Sequence, residues 1–117
     1  MNKKATTFLE YQALAMETAI YPTDGISGIA YTTMGLAGEA GEVSEKVKKI
    51  IRDSTDLEKA ISDKRTEIAK ELGDVLWYVA AICREFGLSL EEVAEINIEK
   101  LKSRQKRGKL KGSGDNR

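Results

Sequence analysis

Two short runs carry the residues best suited to chemistry: Glu39-Ala-Gly-Glu42 and Glu71-Leu-Gly-Asp74. Laid over each other with an offset of 32 residues, their surroundings also match: Leu36, Ala37, Ala40, Gly41, Val43, Val47 and Ile50 fall on Ile68, Ala69, Leu72, Gly73, Val75, Val79 and Ile82. This is an internal quasi-repeat of two amphipathic helices. At about 100° per residue, the two acids of each pair lie about 60° apart on one flank of the apolar stripe. Two such helices packed antiparallel present four carboxylates to one another, an arrangement that protons or cations must stabilise. A lone E-x-x-E is ordinarily a solvated helix face. Two matched pairs that border the apolar seam, each enclosing a glycine that costs roughly 1 kcal/mol of helix propensity, are not explained that way.

The composition narrows the chemistry. The chain contains no histidine and one cysteine, Cys83, so the commonest general base and the commonest zinc ligands are missing and no intrachain disulfide can form. An all-oxygen donor set suits Mg²⁺, with Mn²⁺ as a substitute, better than zinc or copper. Magnesium retains waters and accepts substrate phosphates, which points to metal-dependent phosphate chemistry. Asn97, Lys100 and Arg104 share a flank of the last helix, and Lys46 and Tyr78 each follow one turn after the second acid of their pair. All five are candidates to touch such a substrate, while Tyr21, Tyr31, Trp77, Tyr78, Phe8 and Gln12 are candidates to line a pocket for its organic part.

The elements that must position these residues follow from apolar periodicity. A first helix opens at Thr7, in capping-box spacing with Glu10, and its stripe Leu9, Ala13, Met16, Ile20 runs to Tyr21-Pro22. A loop over 23–29 leads to the helix of the first acid pair, which breaks at 53–56. A polar connector, with a helical turn at 57–61, precedes the helix running from Ile68 to Phe86, closed by Gly87. Ser89 and Glu92 form a capping box for the fourth, with Leu88 and Val93 as its staple. The expected fold is all-α, a four-helix bundle over residues 1–108 with a basic, flexible tail over 109–117. The helix of the second pair is apolar on more than one face, which predicts a homodimer or a tetramer.

At 117 residues the chain is one domain's worth. It has no apolar run long enough to span a bilayer, and Met1-Asn2-Lys3-Lys4 is followed by no apolar segment of the signal-peptide kind, so a cytoplasmic protein without membrane contact is expected. The zero net charge divides into −6 over residues 1–101 and +6 over 102–117. A basic arm of this kind can meet nucleic acid, polyphosphate or the acidic body of the same protein.

The run Gly35-Leu-Ala-Gly-Glu-Ala-Gly-Glu-Val-Ser-Glu-Lys, the run Glu71-Leu-Gly-Asp-Val-Leu-Trp-Tyr and the run Asn97-Ile-Glu-Lys-Leu-Lys-Ser-Arg together resemble the all-α nucleoside triphosphate pyrophosphohydrolases of the MazG-like family, over roughly residues 8–108. The family pattern is E-x-x-E, a gap, then E-x-x-D, and the 28 residues between Glu42 and Glu71 lie at the upper end of the gap. The resemblance implies hydrolysis of a nucleoside triphosphate, a deoxynucleotide before a ribonucleotide, to monophosphate and pyrophosphate in nucleotide-pool house-cleaning. It implies that Glu39, Glu42, Glu71 and Asp74 hold Mg²⁺, that Glu42 or Glu71 acts as the base, and that Asn97 and Lys100 help hold phosphates or metal. It also implies that neighbouring subunits complete the base pocket. No stable nucleic-acid partner is expected. Two other readings stand beside this one: a non-catalytic helical binding module that uses the basic tail, and a related pyrophosphohydrolase of phosphoribosyl-linked nucleotides. Lys109, Lys111 or Arg117 of the tail is expected to reach the triphosphate.

Overall fold

The structure, a computed structural model, describes residues 6–117; the reading of Met1 to Lys4 lies outside them. It is all-α, with four helices: α1 (Phe8–Met16), α2 (Ser27–Asp53), α3 (Leu57–Glu85) and α4 (Leu90–Lys106). None of them is long and apolar enough to cross a membrane.

Local chemistry explains where each helix starts and stops, including where the sequence reading missed. Thr7 caps α1 by accepting the Glu10 N–H at 3.1 Å. The helix ends at Met16, four residues before the end of its apolar stripe, and Ile20 is 96% exposed. Its last carbonyls are taken early: the Ala15 oxygen accepts from the Thr18 hydroxyl at 2.6 Å and from the Trp77 indole at 3.1 Å, so the chain turns out. α2 begins at Ser27, inside the expected loop. α3 is continuous from Leu57, where a polar connector was expected. Asp56 caps it through the Lys59 N–H, and the pairs Lys59–Asp63 and Lys64–Glu67 support a solvated first half that needs no apolar stripe.

Gly87 adopts φ +68°, and the Leu88 N–H reaches back to the Cys83 carbonyl at 2.8 Å, closing α3 with the left-handed residue that glycine supplies. Ser89 then opens α4 with both bonds of the capping box, the Glu92 N–H to the Ser89 hydroxyl at 3.0 Å and the Ser89 N–H to the Glu92 carboxylate at 2.9 Å. Residues 109–117 make contacts with one another and with α4. Arg117 donates to the Lys109, Leu110 and Gly114 carbonyls, and Asp115 pairs with Lys100 and Arg104, so residues 109–117 curl back onto the end of α4. The Arg117 guanidinium is thus spent on carbonyls of its own tail.

Packing is uneven. α2 lies against α3 alone, while α1 packs on α3 and α4, and α3 on α4. The small core, Ala80, Cys83 and Leu90 with Tyr11, Met16, Leu76, Val79 and Val93 around it, sits where α1, α3 and α4 meet. Gln12 secures that corner. Its amide donates to the Ala80 and Leu88 carbonyls, and its oxygen accepts the Leu90 N–H at 2.9 Å, so it braces the fold. The radius of gyration is 17.4 Å, well above the roughly 13 Å of a compact domain of about 100 residues.

Candidate active site

The quasi-repeat brings three of its four acids together, from facing flanks of α2 and α3. Carboxylate oxygens of Glu39, Glu71 and Asp74 all lie within 4.8 Å of one another. Glu42 is exposed and stands outside this triad, yet its charge is felt within it. The Glu39 carboxyl is raised above its ordinary range, first by partial desolvation, then by the charges of Asp74, Glu71 and Glu42. Lys46 approaches Glu71 at 3.8 Å and supplies one counter-charge for three acids. The cluster is therefore short of positive charge. Its donors are all hard oxygens, and their spacing lies within a side-chain adjustment of shared coordination by an ion that binds oxygen at about 2.0–2.1 Å, so the residues fit a divalent hard cation.

The glycines of the repeat divide by role. A Cβ on Gly41 or Gly73 meets nothing within 4 Å, so both leave space beside the acids, whereas helix contact falls at Gly35, whose bare Cα receives the Tyr78 ring. Seated there, Tyr78 is brought beside the cluster. Its hydroxyl is raised by burial, by neighbouring Tyr31, and by the charges of Glu39 and Asp74. Tyr11 of α1, packed against the core, is raised by burial and by the charge of Asp74. The sequence reading overlooked Tyr11, because only the packing of α1 across α3 brings it near.

Beside the triad opens a cleft of about 360 Å³ lined by Thr18, Ile20, Tyr21, Tyr31, Trp77 and Tyr78 together with Glu39 and Asp74. Its rings form one cluster. Tyr21 and Tyr31 stack at 5.3 Å, and Trp77 meets Tyr21 edge-on at 6.2 Å and Tyr78 at 5.0 Å. The Trp77 N–H is already given to the Ala15 carbonyl and the Thr18 hydroxyl. Tyr21 is buried at 8% exposure, but Tyr31 is 44% exposed and presents the most open ring of that stack. Phe8 is not part of the lining.

The α4 candidates are not brought to the acids within one chain. α4 makes no contact with α2. Asn97 is exposed, Lys100 meets Asp115 at 3.3 Å, and Arg104, 5% exposed, donates to the Asp115 carbonyl at 3.0 Å. What the geometry offers is thus a hard-cation cluster with one lysine and a phenol beside it, opening onto an aromatic cleft. Such a site can hold a metal-bound polyphosphate at one part and a flat ring at the other.

Comparison with known proteins agrees with this chemistry. The profile of the MazG nucleotide pyrophosphohydrolase domain matches residues 29–108. Gene 37 protein of Mycobacterium phage L5 is 48% identical over 111 residues, covering 92% of this chain and 96% of that protein. The uncharacterized protein YvdC of Bacillus subtilis strain 168 is 36% identical over 72 residues, 59% of this chain and 68% of that protein. No solved structure matches significantly. With the profile spanning most of the chain, including both acid pairs and Tyr31, Trp77 and Tyr78 of the cleft, the chain belongs to the MazG nucleotide pyrophosphohydrolase domain family.

Proposed function

We propose that this chain hydrolyses nucleoside triphosphates between the α and β phosphorus, releasing monophosphate and pyrophosphate, with Mg²⁺ as cofactor and Mn²⁺ as its substitute. The observation that carries the reading is the convergence of Glu39, Glu71 and Asp74 beside an aromatic cleft. Glu39, Glu42, Glu71 and Asp74 would hold the metal. When bound, it supplies positive charge against the phosphoryl oxygens and the leaving pyrophosphate.

The chain's own residues do the rest. Glu42 or Glu71 orients a water for in-line attack on the α phosphorus and takes its proton as the new P–O bond forms and the bond to the bridging oxygen breaks. Lys46 and Tyr78, already at the cluster, contact the phosphates. The base lies in the cleft against Tyr31, the exposed ring of the stack. Asn97, Lys100 and Arg104 complete phosphate binding; because α4 does not touch α2 within one chain, they reach the substrate across a homodimer or tetramer. In this reading the protein acts in the cytoplasm on the nucleotide pool and needs no stable nucleic-acid partner. The non-catalytic alternative loses support from the tail, which is turned onto α4.

Phosphorus NMR and anion exchange across the ribo- and deoxyribonucleoside triphosphates, with Mg²⁺, test this directly. Monophosphate with pyrophosphate is expected, and Glu71→Gln should lower the rate by at least about 10²-fold. Orthophosphate as the first product, or full activity in the variant, would sink the assignment.

A further inference from the structure

Tyr21 sits in the connector between α1 and α2, next to the fully exposed Ile20, yet it is buried. Its hydroxyl accepts a hydrogen bond from Arg84 Nη2 at 2.6 Å and donates one to Glu85 Oε2 at 2.9 Å. The Arg84 guanidinium also lies 5.2 Å from the Tyr21 ring centroid. Glu85 is itself confined, because it rests on the bare Cα of Gly28, where a Cβ would collide with its carboxylate. Among the described residues, neither Arg84 nor Glu85 makes another side-chain hydrogen bond or ion pair. Two adjacent charged groups at the end of α3 are thus committed to one phenol, and that phenol stacks, 12° from parallel, on Tyr31.

We propose that Arg84 and Glu85 are positioning residues for substrate selection, acting through Tyr21 to hold Tyr31 ready for a nucleobase. The inference rests on the reading that a nucleotide base enters the aromatic cleft. An exposed ring on a helix face ordinarily samples rotamers, and a ring already stacked on a fixed neighbour binds a flat partner without that ordering cost. Tyr21 lines the same cleft but is buried at 8% exposure, so Tyr31, 44% exposed, offers the wider face to a ligand. The tie links three segments, the connector, the start of α2 and the end of α3, so it also sets the width of the cleft.

The test is steady-state kinetics on Tyr21→Phe, Arg84→Ala and Arg84→Lys with the best triphosphate, paired with fluorescence titration of Trp77, the chain's sole tryptophan and a wall of the cleft. Losing the tie should raise KM about 3- to 10-fold, the scale of one or two hydrogen bonds, with kcat held within about twofold and partial recovery in Arg84→Lys. An unchanged KM in both Tyr21→Phe and Arg84→Ala would overturn the inference and leave the hydrolytic reading intact. A fall in kcat with no rise in KM would also overturn it. If no triphosphate is hydrolysed, the hydrolytic reading fails, and titration with nucleoside monophosphates decides: weaker quenching of Trp77 in Arg84→Ala by the same factor supports the positioning role, and equal quenching or none refutes it.

Discussion

Glu39 shows how a single carboxyl reports on its site. Its pKa is raised, so between the ordinary glutamate value of 4.5 and that raised value the folded protein holds a proton that the unfolded chain has released. Stability from this group is therefore present at low pH and is lost as pH rises through the raised pKa. A divalent cation should reverse the loss. Mg²⁺ or Mn²⁺ is expected to raise the melting temperature little near pH 4 and strongly at pH 7, where saturation at a hundredfold excess over Kd is worth about 2.7 kcal/mol. Glu39→Gln should move the two readouts in opposite directions, with the metal-free protein at pH 7 at least as stable as wild type and the metal response diminished. Thermal scans with and without metal at both pH values check this, and an equal metal response in wild type and Glu39→Gln would exclude Glu39 as a ligand. The E-x-x-E and E-x-x-D spacing was legible because residues three apart on a helix share a face whatever the helix packs against. That Glu42 stands apart from the other three was not legible, since it depends on the crossing of α2 over α3.

At the scale of elements, the glycines of α2 and α3 differ in what surrounds them. Gly41 and Gly73 face open space, so alanine there should stabilise the protein by up to about 1 kcal/mol through helix propensity. Gly35→Ala should do the reverse, because the new methyl meets the Tyr78 ring, an overpacking that typically costs about 1–3 kcal/mol. Urea denaturation of the three variants tests the packing of α2 on α3, and a stabilised Gly35→Ala would show that Tyr78 does not lie there. Ser89→Ala, which removes the α4 capping box, should cost about 1 kcal/mol in the same assay. Caps and C-terminal glycines were readable because they act within one turn. The continuous start of α3 was missed because its support comes from surface ion pairs, which leave no apolar period to read.

At the scale of the whole molecule, the second apolar face of α3 is covered within the chain, with Ala80, Ala81 and Cys83 buried, and a different apolar face lies open. At the far part of the α2–α3 pair, Val47, Ile51, Leu57, Ile61 and Leu72 are each more than 40% exposed around an apolar groove of about 460 Å³. Exposed apolar surface of this kind marks an interface, and a second copy would both cover it and bring α4 cations toward another chain's acids. Light scattering is expected to give a multiple of 12.9 kDa, and Leu72→Glu or Ile61→Glu should reduce it to the monomer mass. A monomeric wild type would remove the route by which Asn97, Lys100 and Arg104 reach the phosphates. Sequence alone determined the all-α class, the four helices and the two acid pairs on their helix flanks, because each is written in residues a few positions apart. Tertiary structure alone decided which three acids converge, that Gly35 and not Gly41 takes the helix contact, that the tail turns on itself, and that Arg84 and Glu85 hold Tyr21. Those contacts join residues more than 30 positions apart or depend on side-chain direction, and no local period encodes either.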